Sequence, residues 1–215
     1  MKVLVIACHP DDELLGVGGR LIKHVKEADE VYVCILTKAY KPDWSQEYMD
    51  KKIEEQREVD QLIGIKVRIN LDLPTVKLNT LPHGELNREI QKVVDKIKPH
   101  IIYTHCQNDV NIDHNIAFKS VLVVSRPPLM ANLFTYETLS ETEWGINQFT
   151  PNVWVDISDE IDKKIEAFLI YESEVKKYPH PRSVEGIKYL AGKRGTEACT
   201  KYAEAFCLIR GYNIK

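Results

Sequence analysis

Short apolar runs alternate along the chain with longer stretches in which apolar residues recur every three or four positions. The apolar runs cover residues 3–8, 31–36, 67–71, 101–103, 133–136 and 153–155. The first run is apolar at every position, which is typical of a strand buried on both faces of a parallel sheet. The alternation of strands and helices predicts a single α/β domain with a mostly parallel sheet and helices on both faces.

The stretches between these runs have the spacing of amphipathic helices. The first carries Leu14, Val17, Leu21 and Val25 on one face. The later predicted helices cover residues 45–62, 86–97, 115–125 and 161–174, and one more follows residue 183. The predicted N-caps are Ser45, Asp113 and Ser158, and Gly64 is a predicted helix stop. The charged residues Glu54, Glu55, Glu58, Lys51 and Lys52 are expected on a solvated face of the second helix.

A polar cluster follows the first run without a spacer, as His9, Pro10, Asp11, Asp12 and Glu13. Open α/β sheets bind their ligands at the carboxyl ends of the strands, where this cluster is expected to lie. The loops over residues 37–44 and 72–84 are expected to line the same edge of the sheet.

The spacing within the cluster indicates a metal site. If a helix begins near Glu13, His9 and Asp12 lie one turn apart and converge on one point, while Asp11 points elsewhere. An imidazole and a carboxylate suit zinc and tolerate other first-row metals. Asp11 is then a free carboxylate beside the metal. The alternative is an acidic cluster that only caps the helix and complements its dipole.

A third ligand must come from a distant part of the chain. The best candidates are Asp113 and His114, in the segment after the predicted strand at 101–103. In the same segment, His105 is expected to be structural, and Cys106 is expected to take no part in the chemistry.

Composition narrows the classes of function. The chain has 215 residues and a formal net charge of -3, so one domain is expected and nucleic acid is not an expected partner. Residues 1–215 show no secretory signal and no membrane span, so the expected location is the cytoplasm. Five cysteines without a Cys-x-x-Cys pair argue against a disulfide framework and a cysteine zinc site.

The motifs resemble a known enzyme family. Residues 7–13, Gly18-Gly19 and Asp113-His114 are similar to the zinc-dependent de-N-acetylases of the PIG-L or LmbE-like family, and residues 137–144, 149–152, 179–183 and 203–206 extend the resemblance to a bacterial branch. The resemblance implies a Rossmann-like fold with one zinc held by His9, Asp12 and His114, and Asp11 as the catalytic base. The C-terminal third, about 137–215, is then expected to complete the site and cover the sheet.

Two positions depart from the pattern of this family. Many members have a histidine where this chain has Asn111. The Asn111 amide can stabilise an oxyanion by donating a hydrogen bond, but it cannot carry charge and so cannot act as a general acid. Asp11 is therefore expected to return its proton to the departing amine. A substrate-contacting arginine of the family corresponds to Lys52 or has shifted to Arg57. Arg182, near His180, either contacts the substrate or orders its loop.

The expected function is a metal-dependent hydrolase that removes a small N-acyl group from an amino sugar or its conjugate. Family members act on glycolipids, thiol-precursor glycosides and small oligosaccharides. The sequence leaves open whether the acyl group is acetyl or formyl, whether the metal is zinc or iron, and whether the chain forms a homo-oligomer. The alternative is a non-catalytic nucleotide or sugar-nucleotide binding module, although the G-x-G-x-x-G motif of dinucleotide-binding folds is missing.

Overall fold

The computed structural model describes residues 1–212 of the chain. Seven strands and six α-helices follow one another in a mostly alternating order. The strands are β1 (Lys2–Ala7), β2 (Glu30–Lys38), β3 (Val67–Pro74), β4 (Ile101–His105), β5 (Asn132–Tyr136), β6 (Val153–Asp156) and β7 (Ala203–Arg210). The helices are α1 (Asp12–Lys26), α2 (Gln46–Ile63), α3 (His83–Ile97), α4 (Ile112–Val124), α5 (Ile161–Ile170) and α6 (Val184–Ala198).

The strands form one seven-stranded sheet in the order β3-β2-β1-β4-β5-β7-β6. The first five strands are parallel, whereas β7 is antiparallel to both of its neighbours. The chain leaves β1 towards β2 on one side and later returns to β4 on the other, so the strand order reverses between β1 and β4. A crevice opens at the carboxyl ends of two such strands. The predicted fold class is confirmed.

Each face of the sheet has its own apolar core. Val3, Val5 and Ala7 of β1 pack with residues of α1, α2, α5 and α6. Leu4 and Ile6 point to the opposite face and pack with residues of α3 and α4. These β1 side chains have no exposed surface, which explains why the strand is apolar at every position.

Three details of the sequence prediction were wrong. Strand β7 was missed because it pairs antiparallel with strands from distant parts of the chain. Helix α4 is capped by Asn111, whose side-chain oxygen accepts a hydrogen bond from the Asp113 N–H, so Asp113 lies in the first turn. Helix α5 begins three residues after Ser158, with Glu160 at its N-cap.

The predicted solvated face of α2 was also partly wrong. Lys52 and Glu55 are buried, and only Lys51, Glu54 and Glu58 are exposed. The Lys52 ammonium lies 3.0 Å from both Glu55 and Glu174, so carboxylates compensate its charge. The caps at Ser45 and Gly64 are confirmed.

None of the helices within residues 1–212 is long and apolar enough to cross a membrane.

Candidate metal centre and active-site cavity

The segments that follow two neighbouring strands place the predicted metal ligands close together at one edge of the sheet. Strand β1 ends at Ala7, immediately before the cluster at 9–13, and strand β4 ends at His105. Because β1 and β4 are parallel neighbours, the loops that follow them leave the same edge of the sheet side by side. Helix α4 then begins at Ile112 and places His114 in its first turn.

His9, Asp12 and His114 form a compact triangle of ligand atoms. Asp12 Oδ2 lies 3.2 Å from His9 Nδ1 and 3.2 Å from His114 Nε2, and the two nitrogens are 3.3 Å apart. Tetrahedral ligands at about 2.0–2.1 Å from zinc are separated by roughly 3.3 Å. The other oxygen of Asp12 is buried without any hydrogen-bond partner. A buried carboxylate oxygen without a partner is costly, so these residues fit a divalent cation.

A carboxylate faces the outer nitrogen of each histidine in the triangle. Asp109 Oδ2 lies 2.8 Å from His114 Nδ1, and Asp113 Oδ2 lies 3.5 Å from His9 Nε2. Such partners fix the ring orientation and raise the basicity of metal-binding histidines. Asp113 also accepts hydrogen bonds from the backbone N–H groups of Val76 and Leu78. The geometry therefore makes His114 the candidate ligand, and Asp113 supports His9 from outside.

The electrostatics of the triangle favour positive charge. Burial alone would lower the pKa of His114, but Asp12 and Asp109 raise it to about 10. Burial likewise opposes protonation of His9, yet Asp113 and Asp12 raise its pKa to about 9. Burial would raise the pKa of Asp12, but the neighbouring histidines His114 and His105 hold it well below its usual range. The carboxylates of Asp12, Asp109 and Asp113 thus create a negative environment that would stabilise a bound cation.

His105 lies behind the triangle and is already engaged. Its Nε2 accepts a hydrogen bond of 2.9 Å from the Cys8 N–H, and its ring stacks on His114 at 3.7 Å. Burial and the neighbouring His114 lower its pKa well below the usual value, which indicates a neutral ring. Cys106 is buried, and its thiol donates to Asp109 at 3.0 Å. Both residues pack around the triangle, and their predicted roles, structural for His105 and none in the chemistry for Cys106, stay predictions.

Asp11 lies at the N-cap of α1 in an uncommon backbone conformation with φ 129°. Glu13 stabilises this turn by accepting a hydrogen bond of 3.0 Å from the Asp11 N–H. The other oxygen of Glu13 accepts from Arg68 at 3.0 Å and from the Tyr171 hydroxyl at 2.8 Å. Backbone strain of this kind persists only where the surroundings hold it, and here a buried network does so.

Arg182 reaches the site from the segment before α6. Its guanidinium donates to Asp11 at 3.1 Å, to Glu174 at 3.2 Å and to Glu141 at 3.4 Å, while its Nε donates to Ser140 at 2.7 Å. Burial raises the pKa of Asp11 well above its usual value, and the nearby Arg182 only partly opposes this. His180 accepts from the Arg182 N–H and so orders the loop.

A cavity of about 390 Å³ opens above the triangle. His9, Asp11, Asn111 and Arg182 line it, whereas Asp12 and His114 are buried beneath it. The remaining wall includes Thr37, Trp44, Tyr48, Lys52, Gln56, Asp72, Val76, Glu141 and Glu174. The loops over 37–44 and 72–84 contribute to this wall, as predicted.

Asn111 and Lys52, two positions singled out in the sequence, both line the cavity. The Asn111 oxygen is used as the helix cap, so its amide N–H₂ is the group left to face a ligand. Lys52 lines the cavity, whereas Arg57 is exposed and pairs with Glu54 on the surface. Of these two cations, Lys52 is therefore the one that borders the cavity.

Sequence reasoning missed four residues at the site: Asp109, Glu13, Glu141 and Glu174. Asp109 lies five residues before His114 in the sequence, and this short separation was the one sign that the two side chains could meet. Glu13 was grouped with the polar cluster without a role of its own. Glu141 and Glu174 come from the C-terminal third of the chain, and only folding brings them to the cavity that His9 and Asp11 also line.

Comparison with known proteins supports the resemblance. A diacetylchitobiose deacetylase of Thermococcus kodakarensis is 26% identical over 191 residues, covering 80% of this chain and 70% of the relative. The structure of a conserved protein from Thermus thermophilus superposes with a TM-score of 0.80 at 25% identity, covering 99% of this chain and 96% of that one.

A third similar structure is the N,N'-diacetylchitobiose deacetylase of Pyrococcus horikoshii in complex with an inhibitor. It has a TM-score of 0.77 at 21% identity and covers 97% of this chain and 83% of its own, which is a likeness of fold. The sequence model of the PIG-L family, described as GlcNAc-PI de-N-acetylase, matches residues 4–125, more than half of the chain. This chain therefore belongs to the PIG-L family.

Proposed function

We propose that this protein is a metal-dependent hydrolase that removes the acetyl group from an N-acetylated amino sugar or its conjugate. The observation that carries the proposal is the triangle of His9, Asp12 and His114 at the base of a cavity that Asp11 also lines. A metal ligand set beside a buried carboxylate that lines the same cavity suits the hydrolysis of an amide.

His9, Asp12 and His114 would hold one zinc or iron ion. When bound, this ion supplies a Lewis acid that lowers the pKa of water and polarises a carbonyl oxygen. Asp11 takes the proton of the attacking water as general base, because its carboxyl lines the cavity beside the triangle and its contact with Arg182 favours the ionised form that can accept a proton. The amide of Asn111 donates to the developing oxyanion, and such a donor typically contributes about 10²–10³ in rate.

The substrate class is argued from the family and from the cavity. The relatives from Thermococcus kodakarensis and Pyrococcus horikoshii are diacetylchitobiose deacetylases, and the family is described by a de-N-acetylase of an amino-sugar lipid. A volume of about 390 Å³ accommodates a sugar ring with part of its substituent. Trp44 and Tyr48 on the wall provide aromatic surface for the apolar face of a ring.

The C-terminal third completes the site in this proposal. Glu141, Glu174 and Arg182 all line the cavity, and Arg182 donates directly to Asp11. Arg182 is then both the partner of the catalytic base and a donor for substrate oxygens. A formyl group in place of acetyl would use the same chemistry.

A nucleotide-binding module remains the weaker alternative. Asp11, Asp72, Glu141 and Glu174 all line the cavity, and four carboxylates repel a phosphate group. The cations Lys38, Lys52 and Arg182 are paired with carboxylates there.

Metal content and amine release test the proposal together. The native protein, purified without added metal, should contain about one zinc or iron per chain by elemental analysis. His114→Ala should lose this metal, whereas the control His83→Ala, a substitution in α3 outside the triangle, should retain it. The native protein should also release amine from N,N'-diacetylchitobiose or N-acetylglucosamine. A native protein that contains no metal and refuses added zinc would exclude the hydrolase.

A further inference from the structure

Hydrolysis of an amide needs a proton for the departing nitrogen, because an amine leaves poorly as its anion. A donor for this proton is needed if the protein has the proposed deacetylase function, on which the inference rests. Asn111 borders the cavity beside the triangle, but an amide has no proton that it can release at neutral pH.

We propose that Glu141, in place of Asp11 as expected from the sequence, is the general acid that protonates the departing amine. Glu141 lies next to Asn111 in space, because the Val110 N–H donates to the Glu141 carbonyl oxygen at 3.2 Å. Both side chains line the cavity. The chain thus presents a carboxyl group on the wall of the same cavity that the Asn111 amide lines.

Arg182 links this carboxyl group to the proposed base. Its Nη1 donates to Asp11 at 3.1 Å and its Nη2 donates to Glu141 at 3.4 Å. One guanidinium therefore holds the two carboxyl groups on neighbouring nitrogens. Asp11 as general base and Glu141 as general acid are thus held at different nitrogens of Arg182, and both border the cavity. This arrangement suits a reaction in which one group removes a proton from water and the other delivers a proton to nitrogen.

The segment around Glu141 is fixed in place from two sides. Ser140 has φ 68°, and its hydroxyl accepts from Arg182 Nε at 2.7 Å. Thr142 donates its hydroxyl to Asp109, the carboxylate that supports His114. The position of Glu141 is thus tied both to the metal loop and to Arg182, as a proton donor requires.

The surroundings of Glu141 also favour a protonated carboxyl. Burial raises its pKa, and Asp12 and Asp109 raise it further, while His114 and Arg182 oppose the shift. The other carboxyl groups on the wall differ. Lys52 and Arg182 hold the pKa of Glu174 below its usual value against the effect of burial. The Asp72 side chain is 60% exposed and pairs with Lys38 at the rim.

The proton balance of the reaction is complete with these groups. Asp11 accepts one proton from water as the C–O bond forms. Glu141 gives its proton to the nitrogen as the C–N bond breaks, so acetic acid and the neutral amine leave, and the remaining proton of the acid passes to the amine in solution. Asp11 then releases its proton to solvent and Glu141 takes one up, and no further reactant is needed.

The test compares an amide with an ester in the native protein and in Glu141→Gln. The amides are N,N'-diacetylchitobiose, N-acetylglucosamine and its 4-nitrophenyl β-glycoside, and the ester is 4-nitrophenyl acetate, whose phenolate leaves without a proton. Loss of a general acid should lower kcat for the amide about 10²–10⁴-fold and lower the ratio of amide to ester hydrolysis with it. Glu141→Asp should recover part of the amide rate.

Glu143→Gln is the matched control, because Glu143 lies in the same segment and its carboxylate accepts from the Ser140 N–H outside the cavity. Metal content per chain should be equal in native protein and all variants.

An unchanged amide-to-ester ratio in Glu141→Gln overturns the inference while the deacetylase proposal stands. Equal loss of amide and ester hydrolysis, or lost metal, indicates a structural role and also overturns it. A native protein that releases no amine from the three amides overturns both proposals.

Discussion

The Nδ1 nitrogen of His114 and the Oδ2 oxygen of Asp109 are 2.8 Å apart, and both side chains are fully buried. This contact leaves the Nε2 nitrogen of His114 directed at His9 and Asp12. Asp109 therefore determines which nitrogen of His114 is available to a metal, although it does not itself belong to the triangle.

We expect Asp109→Asn to weaken metal binding about 10–100-fold, since loss of the carboxylate lowers the basicity of His114 and loosens its ring orientation. Competition with a chromogenic chelator measures the affinity. Asp72→Asn, a change of the same kind at the rim of the cavity, should leave the affinity unchanged. Equal affinities of native protein and Asp109→Asn would refute the role.

We expect Asp11→Asn to retain metal but to lower kcat for deacetylation about 10²–10⁴-fold, because an amide cannot accept the proton of water. Asparagine tolerates a positive φ, so the turn at this position should be kept. Steady-state kinetics and elemental analysis of the same preparation check the prediction. A variant that keeps its kcat would show that another group is the base.

The buried ion pair beneath Asp11 should contribute strongly to stability. Arg68→Met leaves Glu13 and Asp60 without their cation, and such a loss typically costs about 3–5 kcal/mol. Arg57→Met removes an exposed arginine from its pair with Glu54 and should cost less than about 1 kcal/mol. Urea unfolding at pH 7 compares the two, and similar losses would argue against the buried network.

Close packing at Gly16 should make even a methyl group costly. A Cβ at Gly16 would lie 2.1 Å from the Tyr136 ring, so Gly16→Ala should destabilise the protein by about 1–3 kcal/mol. At Gly84 in α3 the nearest atom would be 3.8 Å away, and Gly84→Ala should stabilise by roughly 0.4–1 kcal/mol. Thermal unfolding distinguishes the two variants, and equal midpoints would contradict the packing.

Stability should fall in mild acid because of His24. Burial and the nearby Arg20 lower its pKa from 6.5 to about 4, against the effect of Asp29. Between these pH values the unfolded chain binds a proton that the folded chain does not, so stability is full above pH 6.5 and is lost towards pH 4. The loss amounts to at most about 3 kcal/mol.

Urea unfolding of native protein and His24→Gln at pH 7, 6 and 5 isolates this contribution, because the other titrating groups are common to both. The variant should show a shallower dependence on pH in this range. Parallel curves for the two proteins would show that His24 does not titrate as expected.

The sequence predicted the parts of the site that depend on local order. His9 and Asp12 are three residues apart across the turn that precedes α1, and this short spacing was the basis for predicting that they converge. The third ligand was ambiguous between Asp113 and His114, because both lie at the start of α4 and either could turn inward. The contact of His114 with Asp109 and the backbone N–H groups bound by Asp113 favour His114, and only the folded loop provides them.

Features that depend on distant segments could not be predicted in the same way. The buried position of Lys52 requires Glu174, which lies more than a hundred residues later. The antiparallel strand β7 follows a helix and pairs with β5 and β6, so local periodicity contains no sign of its direction. The position of Glu141 depends on its backbone contact with Val110.

The three residues of the triangle lie within 4–125, the part that matches the family model, whereas Glu141, Glu174 and Arg182 lie beyond it. The metal-binding atoms and part of the wall around them therefore come from separate stretches of the chain. Substitutions after residue 125 can change the cavity wall without removing a residue of the triangle, although Arg182 and Thr142 connect this stretch to Asp11 and Asp109. An exchange of this stretch between relatives would keep the triangle and replace Glu141, Glu174 and Arg182 together.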